Sequence, residues 1–395
     1  MDSLKKTFHD AKDKAEDLQG KCKEKGKVFA SELQEKIVGS QVANKDVSIR
    51  KIMDKMKDRL HKENPRKVST GQDFRQLLDN SNPHVHTEIL GKYGMGKRVG
   101  RIQFTGSDAV RAVGTGFIVG SKYVMTAYHV MKDNLKMLWE TVNELSKEEK
   151  EEIGWTTDDV PETSWNISSL FSTDPKSKGK IMELVNLVTG LYEIKFEFLK
   201  EVDVGRIVKF KPDIAFASPE YDVLVLELED HKFELKCLGL VEDNACNEKL
   251  HVFGHPSGKP LQHDPACTIL KEDTDLSELK KEGIAFFKKE CKSLEEKDIE
   301  ESYSPCVISK DKILFHSSCS TAHGASGAPL IIVCNGSPKV YGMLLCGHPG
   351  VFYNYFNGRL KRLDLLVESG ISMKKVRSLL KSFTPKLEQD LFRDV

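Results

Sequence analysis

The sequence predicts a mainly β protein of barrel type, carrying helical insertions and preceded by a charged helical arm. Three observations predict it. From Val99 onward, apolar residues recur in short, strand-length runs punctuated by glycine, a spacing that suits antiparallel barrels. Two charged stretches, 131–180 and 271–301, interrupt those runs, each with a helical portion. Ahead of residue 68, apolar residues fall at three- and four-residue intervals among lysines and acids.

Residues 1–96 read as an arm and a connector. Leu4, Phe8, Ala11, Ala15 and Leu18 form one helical stripe, and Val47, Ile49, Ile52, Met53 and Met56 a second, which ends before Asn64-Pro65. About 18 Lys/Arg against about 12 Asp/Glu over 1–67 make this arm mildly basic. Two readings stay open for it: a partner- or DNA-binding arm, or a solvated helical extension packed on the rest of the chain. The connector contains the turn-forming run Asp79-Asn80-Ser81-Asn82-Pro83.

The main domain is expected over 97–395. Its first barrel is placed at about 97–240, its second at about 245–360, and a C-terminal helix at about 362–382 with Leu363, Leu366, Val367, Val376, Leu379 and Leu380 as its apolar stripe. Strands of the first barrel are expected near 101–104, 110–113, 117–119, 123–125, 191–198, 207–210 and 222–228, with a helix over 135–150 inserted between the fourth and fifth. Those of the second are expected near 249–254, 306–309, 313–315, 330–333 and 340–346, with a helix over 276–289 in the charged insertion.

Lys+Arg and Asp+Glu both number 60, so net charge gives no global case for nucleic-acid binding. The nine cysteines are scattered, no apolar segment follows Met1 as in a signal peptide, and no apolar run is long enough to span a bilayer. Free thiols and a nuclear and/or cytoplasmic chain, neither secreted nor membrane-bound, are the expectation. His251, His255, His263 and Cys267 lie at His-x3-His and His-x3-Cys spacings that zinc can use. A turn at 254–258 already explains that loop and closely spaced cysteine pairs are missing, so no metal and no cofactor is expected.

Chemistry concentrates in three stretches. The run Gly324-Ala325-Ser326-Gly327-Ala328-Pro329 precedes the apolar segment Leu330-Ile331-Ile332-Val333. Nothing bulky shields the Ser326 hydroxyl, and glycines at 324 and 327 permit positive φ. Such a turn can aim the N–H groups of Gly324 and Ser326 at one point, where an attacked carbonyl becomes an oxyanion. Upstream lie Thr126-Ala127-Tyr128-His129-Val130 and Tyr221-Asp222-Val223-Leu224-Val225-Leu226-Glu227-Leu228. A serine hydroxyl needs a base within reach, and the base needs an orienting carboxylate. His129, Asp222 and Ser326 supply these groups in chain order. Asp213 is a rival to Asp222; the alternating apolar strand directly after Asp222 favours it as the buried, fixed carboxylate.

These three stretches resemble the histidine, aspartate and nucleophile boxes of trypsin-like (chymotrypsin-fold) serine peptidases, over roughly residues 97–365. Within that group the chain is most similar to the vertebrate nuclear peptidases called family with sequence similarity 111, members A and B, through its Gly-Ala-Ser-Gly box, long insertions and lysine-rich N-terminal part. The resemblance implies two six-stranded antiparallel β-barrels. It also implies a serine endopeptidase with His129, Asp222 and Ser326 catalytic and Gly324 and Ser326 forming the oxyanion hole. The implied setting is chromatin, with protein substrates, DNA as a partner through the arm, removal of DNA-bound proteins in replication and repair, self-cleavage and a homodimer as one assembly.

Departures from the pattern are informative. Val130 stands where secreted relatives carry a cysteine, and Ala325 where digestive enzymes carry the aspartate that pairs with a freed N-terminus. The segment before residue 97 is too short for the two ubiquitin-like domains of the nuclear relatives, and it holds no glutamine-led motif for a sliding clamp. By alignment, the substrate pocket would use Ser320 and Thr321 as floor and Cys346 and Gly347 as wall. An uncharged floor disfavours a buried Lys or Arg, so cleavage after Phe, Tyr or Leu is expected. The rival reading is a catalytically silent peptidase-fold scaffold for binding.

Overall fold

The computed structural model describes residues 55, 91–105, 111–148, 185–186, 188–200, 203–232, 234–235, 237–240, 249–270, 276–290, 295–307, 312–316, 324–334, 336–348 and 365–392. The arm expected over 1–96 lies outside these except at 55 and 91–96.

Six strands close the first barrel in the order β1-β2-β3-β6-β5-β4. They are β1 (Val99–Phe104), β2 (Arg111–Val119), β3 (Tyr123–Ala127), β4 (Tyr192–Phe196), β5 (Arg206–Ser218) and β6 (Val223–Leu228). Every pairing is antiparallel. β3 and β6 read as nearly continuous apolar runs because both of their faces are covered: all five residues of β3 and five of six in β6 are buried. In β5 the ladder slips between Phe210 and Ile214. Pro212 has no N–H to give the ladder, and it and its neighbour Asp213 are pushed out to solvent.

The second barrel comprises β8 (Leu250–Gly254), β9 (Gln262–Ile269), β10 (Lys312–His316), β11 (Pro329–Cys334), β12 (Ser337–His348) and β13 (Val367–Ser372). The order β11-β8-β9-β10-β13-β12 closes through the additional β11–β12 pairing, and the two-residue β7 (Gly239–Leu240) adds to β12 in parallel. The two six-stranded antiparallel barrels are therefore as expected, and among the described residues closure leaves no long open edge.

The helices differ more from expectation. α1 (His129–Asn143) starts at His129 itself, earlier than the expected 135. The second insertion is a hairpin of two helices, α2 (Leu276–Glu290) and α3 (Glu296–Val307). The strand expected at 306–309 is corrected: its first two residues end α3, and 308–309 lie outside the described residues. β9 forms where a histidine-bearing loop is expected. The expected helix at 362–382 is likewise corrected. Its Val367 belongs to β13, and only from Met373 does α4 (Met373–Phe383) begin, capped by Ser372 Oγ accepting from the Lys375 N–H. A final helix, α5 (Pro385–Phe392), follows.

The largest apolar cluster is continuous from the first barrel, through Phe253, Ile331, Met343 and Leu345 of the second, to Leu380, Leu391 and Phe392 of the C-terminal helices. α5 returns to the β2–β3 turn, where a Cβ at Gly120 would lie 3.0 Å from the Asp390 carbonyl. A separate cluster, with Leu250, Cys267, Phe315, Leu330 and Leu344, fills the second barrel.

Candidate functional site

The three sequence boxes meet where the barrels join. Each is placed by a strand end: His129 just after β3, Asp222 just before β6, and Ser326 in the turn entering β11. Because β3 and β6 are adjacent in register, with Ala127 opposite Val223, the residues beyond their ends are brought together.

Asp222 is held in an unusual backbone conformation, at φ 56°. Asp tolerates this left-handed region better than most residues, and strain of this kind is typical of functional sites. Its carboxylate receives two hydrogen bonds from one residue. The His129 N–H donates to Oδ1 at 2.8 Å and the ring Nδ1 donates to Oδ2 at 2.7 Å. Since a carboxylate can only accept, Nδ1 carries the proton and Nε2 is left as the acceptor. The backbone bond satisfies a donor that the first turn of α1 cannot satisfy internally, and it places negative charge at the helix N-terminus. The side chains of His129 and Asp222 are 39% and 24% exposed, so the pair is open to a substrate. Asp213, the rival carboxylate, is exposed on the bulge of β5.

Two glycines of the Ser326 turn adopt positive φ. Gly324 and Gly327 take φ values of 96° and 85°, angles that cost glycine little. Neither has room for a side chain. A Cβ at Gly327 would sit 2.2 Å from the Thr115 carbonyl, and one at Gly324 2.8 Å from the His255 carbonyl. A Cβ at Gly114 would meet Val130 at 2.6 Å and the Ser326 carbonyl at 3.3 Å, so the histidine and serine segments flank the same glycine. The turn is tied to the second barrel by Gly327 N–H to Leu344 O and Leu344 N–H to Ala328 O, both 2.8 Å.

Thr115, which falls between the strands expected near 110–113 and 117–119 and lies within β2, is central here. It is fully buried. Its N–H donates to Ser326 O at 2.9 Å and its Oγ1 donates to Gly324 O at 2.6 Å. The His255 N–H donates to Oγ1 at 3.0 Å, and the Thr126 hydroxyl to the Thr115 carbonyl at 2.7 Å. A Thr between two glycines ahead of the histidine box was the available signal; the acceptor of its hydroxyl lies 209 positions away.

Of the expected pocket residues, Ser320 and Thr321 lie outside the described residues. Cys346 and Gly347 are half-buried on β12, just beyond Leu344, opposite Ser369 and Glu368 of β13. Cys346 Sγ lies 3.3 Å from His348 Nε2, whose Nδ1 donates to the Ser302 carbonyl of α3 at 3.1 Å. Burial lowers the basicity of His348, with that backbone bond opposing. Glu368, 1% exposed, is a buried acid that the sequence reading passed over.

His251 and His263 come together, Nδ1 to Nε2 at 2.9 Å, with His263 stacked on Phe253 at 4.2 Å between ring centroids. Among the described residues no group of three or more His, Cys, Asp or Glu is placed to hold a metal. The four cysteines described, Cys237, Cys267, Cys334 and Cys346, are free thiols. Among the described residues no helix is long and apolar enough to cross a membrane.

Two closed six-stranded barrels with the His, Asp and Ser boxes at their junction define the trypsin-like double-barrel fold. No family model matches the sequence, and no curated relative matches it. Among solved structures the chain is similar to one described as "Crystal structure of Rv3671c protease, inactive form", at 12% identity and a TM-score of 0.38, over 77% of this chain and 96% of that one. The fold class rests on the strand topology described above.

Proposed function

We propose that the protein is a serine endopeptidase. The observation that carries the reading is the doubly bonded His129–Asp222 pair, with the Ser326 turn strapped beside it by Thr115. In this reading Ser326 Oγ attacks the scissile carbonyl. His129 Nε2 takes the hydroxyl proton and returns it to the leaving amine, and Asp222 holds the imidazole tautomer. The N–H groups of Gly324 and Ser326 receive the oxyanion. Water then attacks the acyl-enzyme with His129 again as base, and the acid product leaves. No cofactor enters these steps.

The test is labelling by a fluorophosphonate and turnover of a peptide panel by wild type, Ser326→Ala and His129→Ala. Both substitutions should remove nearly all turnover, and Ser326→Ala should remove labelling. Because the groups act as a unit, the double variant should be little worse than either single. Near-normal turnover by Ser326→Ala would sink the mechanism, and a wild type that never labels would point to the silent binding scaffold.

The finer reading follows the resemblance to the family with sequence similarity 111: a nuclear, chromatin-associated peptidase acting on DNA-bound proteins and on itself, with residues 1–67 as its DNA-binding arm. If so, DNA affinity should fall steeply with salt and vanish on deleting 1–67, while peptide cleavage survives. Unchanged affinity after the deletion would remove the arm from consideration.

For specificity we propose cleavage after Phe, Tyr or Leu, since Ser320 and Thr321 carry no charge. Full burial of such a side chain offers roughly 1.5–3 kcal/mol. Glu368 is in register with Gly347 and gives the opposite outcome a structural source. Preferred cleavage after Lys or Arg would sink the uncharged-pocket assignment and direct attention to Glu368.

A further inference from the structure

We infer that Thr115 is a positioning residue: its hydroxyl latches the Gly324 peptide across the barrel junction and thereby presets the oxyanion-binding turn before substrate arrives. The inference rests on the serine-peptidase reading above and names a residue outside its catalytic group.

The hydroxyl has one proton and its direction is determined. The His255 N–H donates to Oγ1, so the proton goes to the acceptor, Gly324 O. With its N–H on Ser326 O, Thr115 holds the carbonyls on both sides of Ala325. Thr115 is itself anchored from β3 through Thr126, three residues ahead of His129. The three bonds through the Thr115 and Thr126 hydroxyls are buried, so water does not compete for them.

The consequence for the turn follows from peptide geometry. Anchoring Gly324 O sets the 324–325 peptide plane. On its other side Gly324 rests on the short turn Pro256–Gly258, where an added Cβ would lie 3.3 Å from the N atoms of both Ser257 and Gly258. Gly324 is thus confined between β2 and that turn, with its φ held at 96°. The next plane is set by the Ala328 N–H donating to Ala325 O at 2.9 Å. In a trans peptide N–H and C=O point opposite ways, so the Ser326 N–H is aimed away from that bond. Ala325, 3% exposed in an apolar cluster, offers no ion pair to steady the turn. Backbone bonds to Leu344 hold the turn from the second barrel at Gly327 and Ala328, and Thr115 holds it from the first barrel at Gly324 and Ser326.

Replacing the hydroxyl by a methyl group would leave a buried N–H and a buried C=O without this partner, and the turn would relax to satisfy them. The experiment compares full-length wild type, Thr115→Val, Thr115→Ser and Thr115→Ala. It measures kcat per fluorophosphonate-labelled site, KM for a peptide substrate, and inhibition by a peptide aldehyde whose adduct needs the oxyanion donors. Losing one such donor outright costs about 10²–10³ in kcat, so Thr115→Val should lower kcat per labelled site by roughly 10- to 100-fold and weaken the aldehyde by a similar factor, with KM changed less than about threefold. Thr115→Ser, which keeps the hydroxyl, should recover to within about threefold of wild type.

A merely structural residue would instead reduce the fraction of sites that label and leave kcat per site intact; that result overturns the latch. So does a Thr115→Ser as impaired as Thr115→Val. Should the valine variant fail to fold, Thr115→Ser against Thr115→Ala makes the same comparison, and equal kcat per site for those two overturns the proposal. A wild type that neither labels nor turns over removes the peptidase reading and the latch with it. A labelled wild type with an unaffected valine variant removes the latch alone.

Discussion

At the scale of single residues, Asp222 combines two tasks. It orients His129 through the ring and caps α1 through the backbone, from a strained φ. Asp222→Asn keeps the shape but offers one acceptor where the carboxylate offers two, and its amide favours the wrong imidazole tautomer. Activity should fall by roughly four orders of magnitude, the loss found when the carboxylate of such a triad is so replaced. Asp213→Asn, on an exposed bulge, should stay within about threefold, since surface changes away from a site are nearly neutral. Peptide-substrate kinetics on the two variants checks this, and the reverse ranking would reassign the carboxylate. The preference for Asp222 was legible because an apolar strand follows it. Its helix-capping bond was not, since it depends on α1 beginning 93 residues earlier in the chain.

At the scale of elements, the α2–α3 hairpin is built around Tyr303. Its ring is buried, and its hydroxyl donates to the Leu365 carbonyl at 3.1 Å, just ahead of β13. Gly283 of α2 makes room: a Cβ there would come within 1.9 Å of the tyrosine oxygen. Since the neighbouring Ser302 carbonyl binds His348 on β12, displacing α3 reaches the strand that carries Cys346 and Gly347. Gly283→Ala should therefore destabilise the protein by about 1–3 kcal/mol, the usual cost of overpacking. Adding Tyr303→Phe should recover part of it by removing the clashing atom, a coupling read from thermal melts of the two singles and the double. Additive losses would show that the two residues do not meet. The sequence announced α2 through its charged, helical spacing. It did not announce that 367–372 is a strand, because apolar residues there also fit a helical stripe and only pairing with β10 and β12 decides the matter.

At the scale of the molecule, the junction of the barrels carries an acid-sensitive element. His255 stacks on Phe198, at 6.2 Å between centroids, while Arg101 and Lys195 lie over the same phenyl ring at 4.6 and 4.2 Å. The Arg101 guanidinium also donates to the Gly258 carbonyl at 2.7 Å, across the junction. Burial pushes His255 from 6.5 down to about 3, with Arg101 and Lys195 adding to the effect and a hydrogen bond to the Lys259 carbonyl opposing it. The unfolded chain therefore takes up this proton below about 6.5, whereas the folded chain does not until about 3. The stability this group confers is complete above 6.5 and is lost as pH falls toward 3. In His255→Asn, whose amide can donate where Nδ1–H does, the melting temperature should decline less steeply across that window than in wild type. Parallel declines would show that His255 does not set the acid response.

The sequence by itself determined the strand-rich class, the three boxes in their order, the positive-φ glycines and both insertions. These are local properties: apolar periodicity, turn chemistry and spacing along the chain. Tertiary structure decided which carboxylate meets His129, that β13 completes the second barrel, and that Thr115 spans from β2 to Gly324 and His255. Each of those depends on contacts between residues far apart in the chain. A buried hydroxyl or carbonyl becomes informative only once folding has brought it the partner it must have.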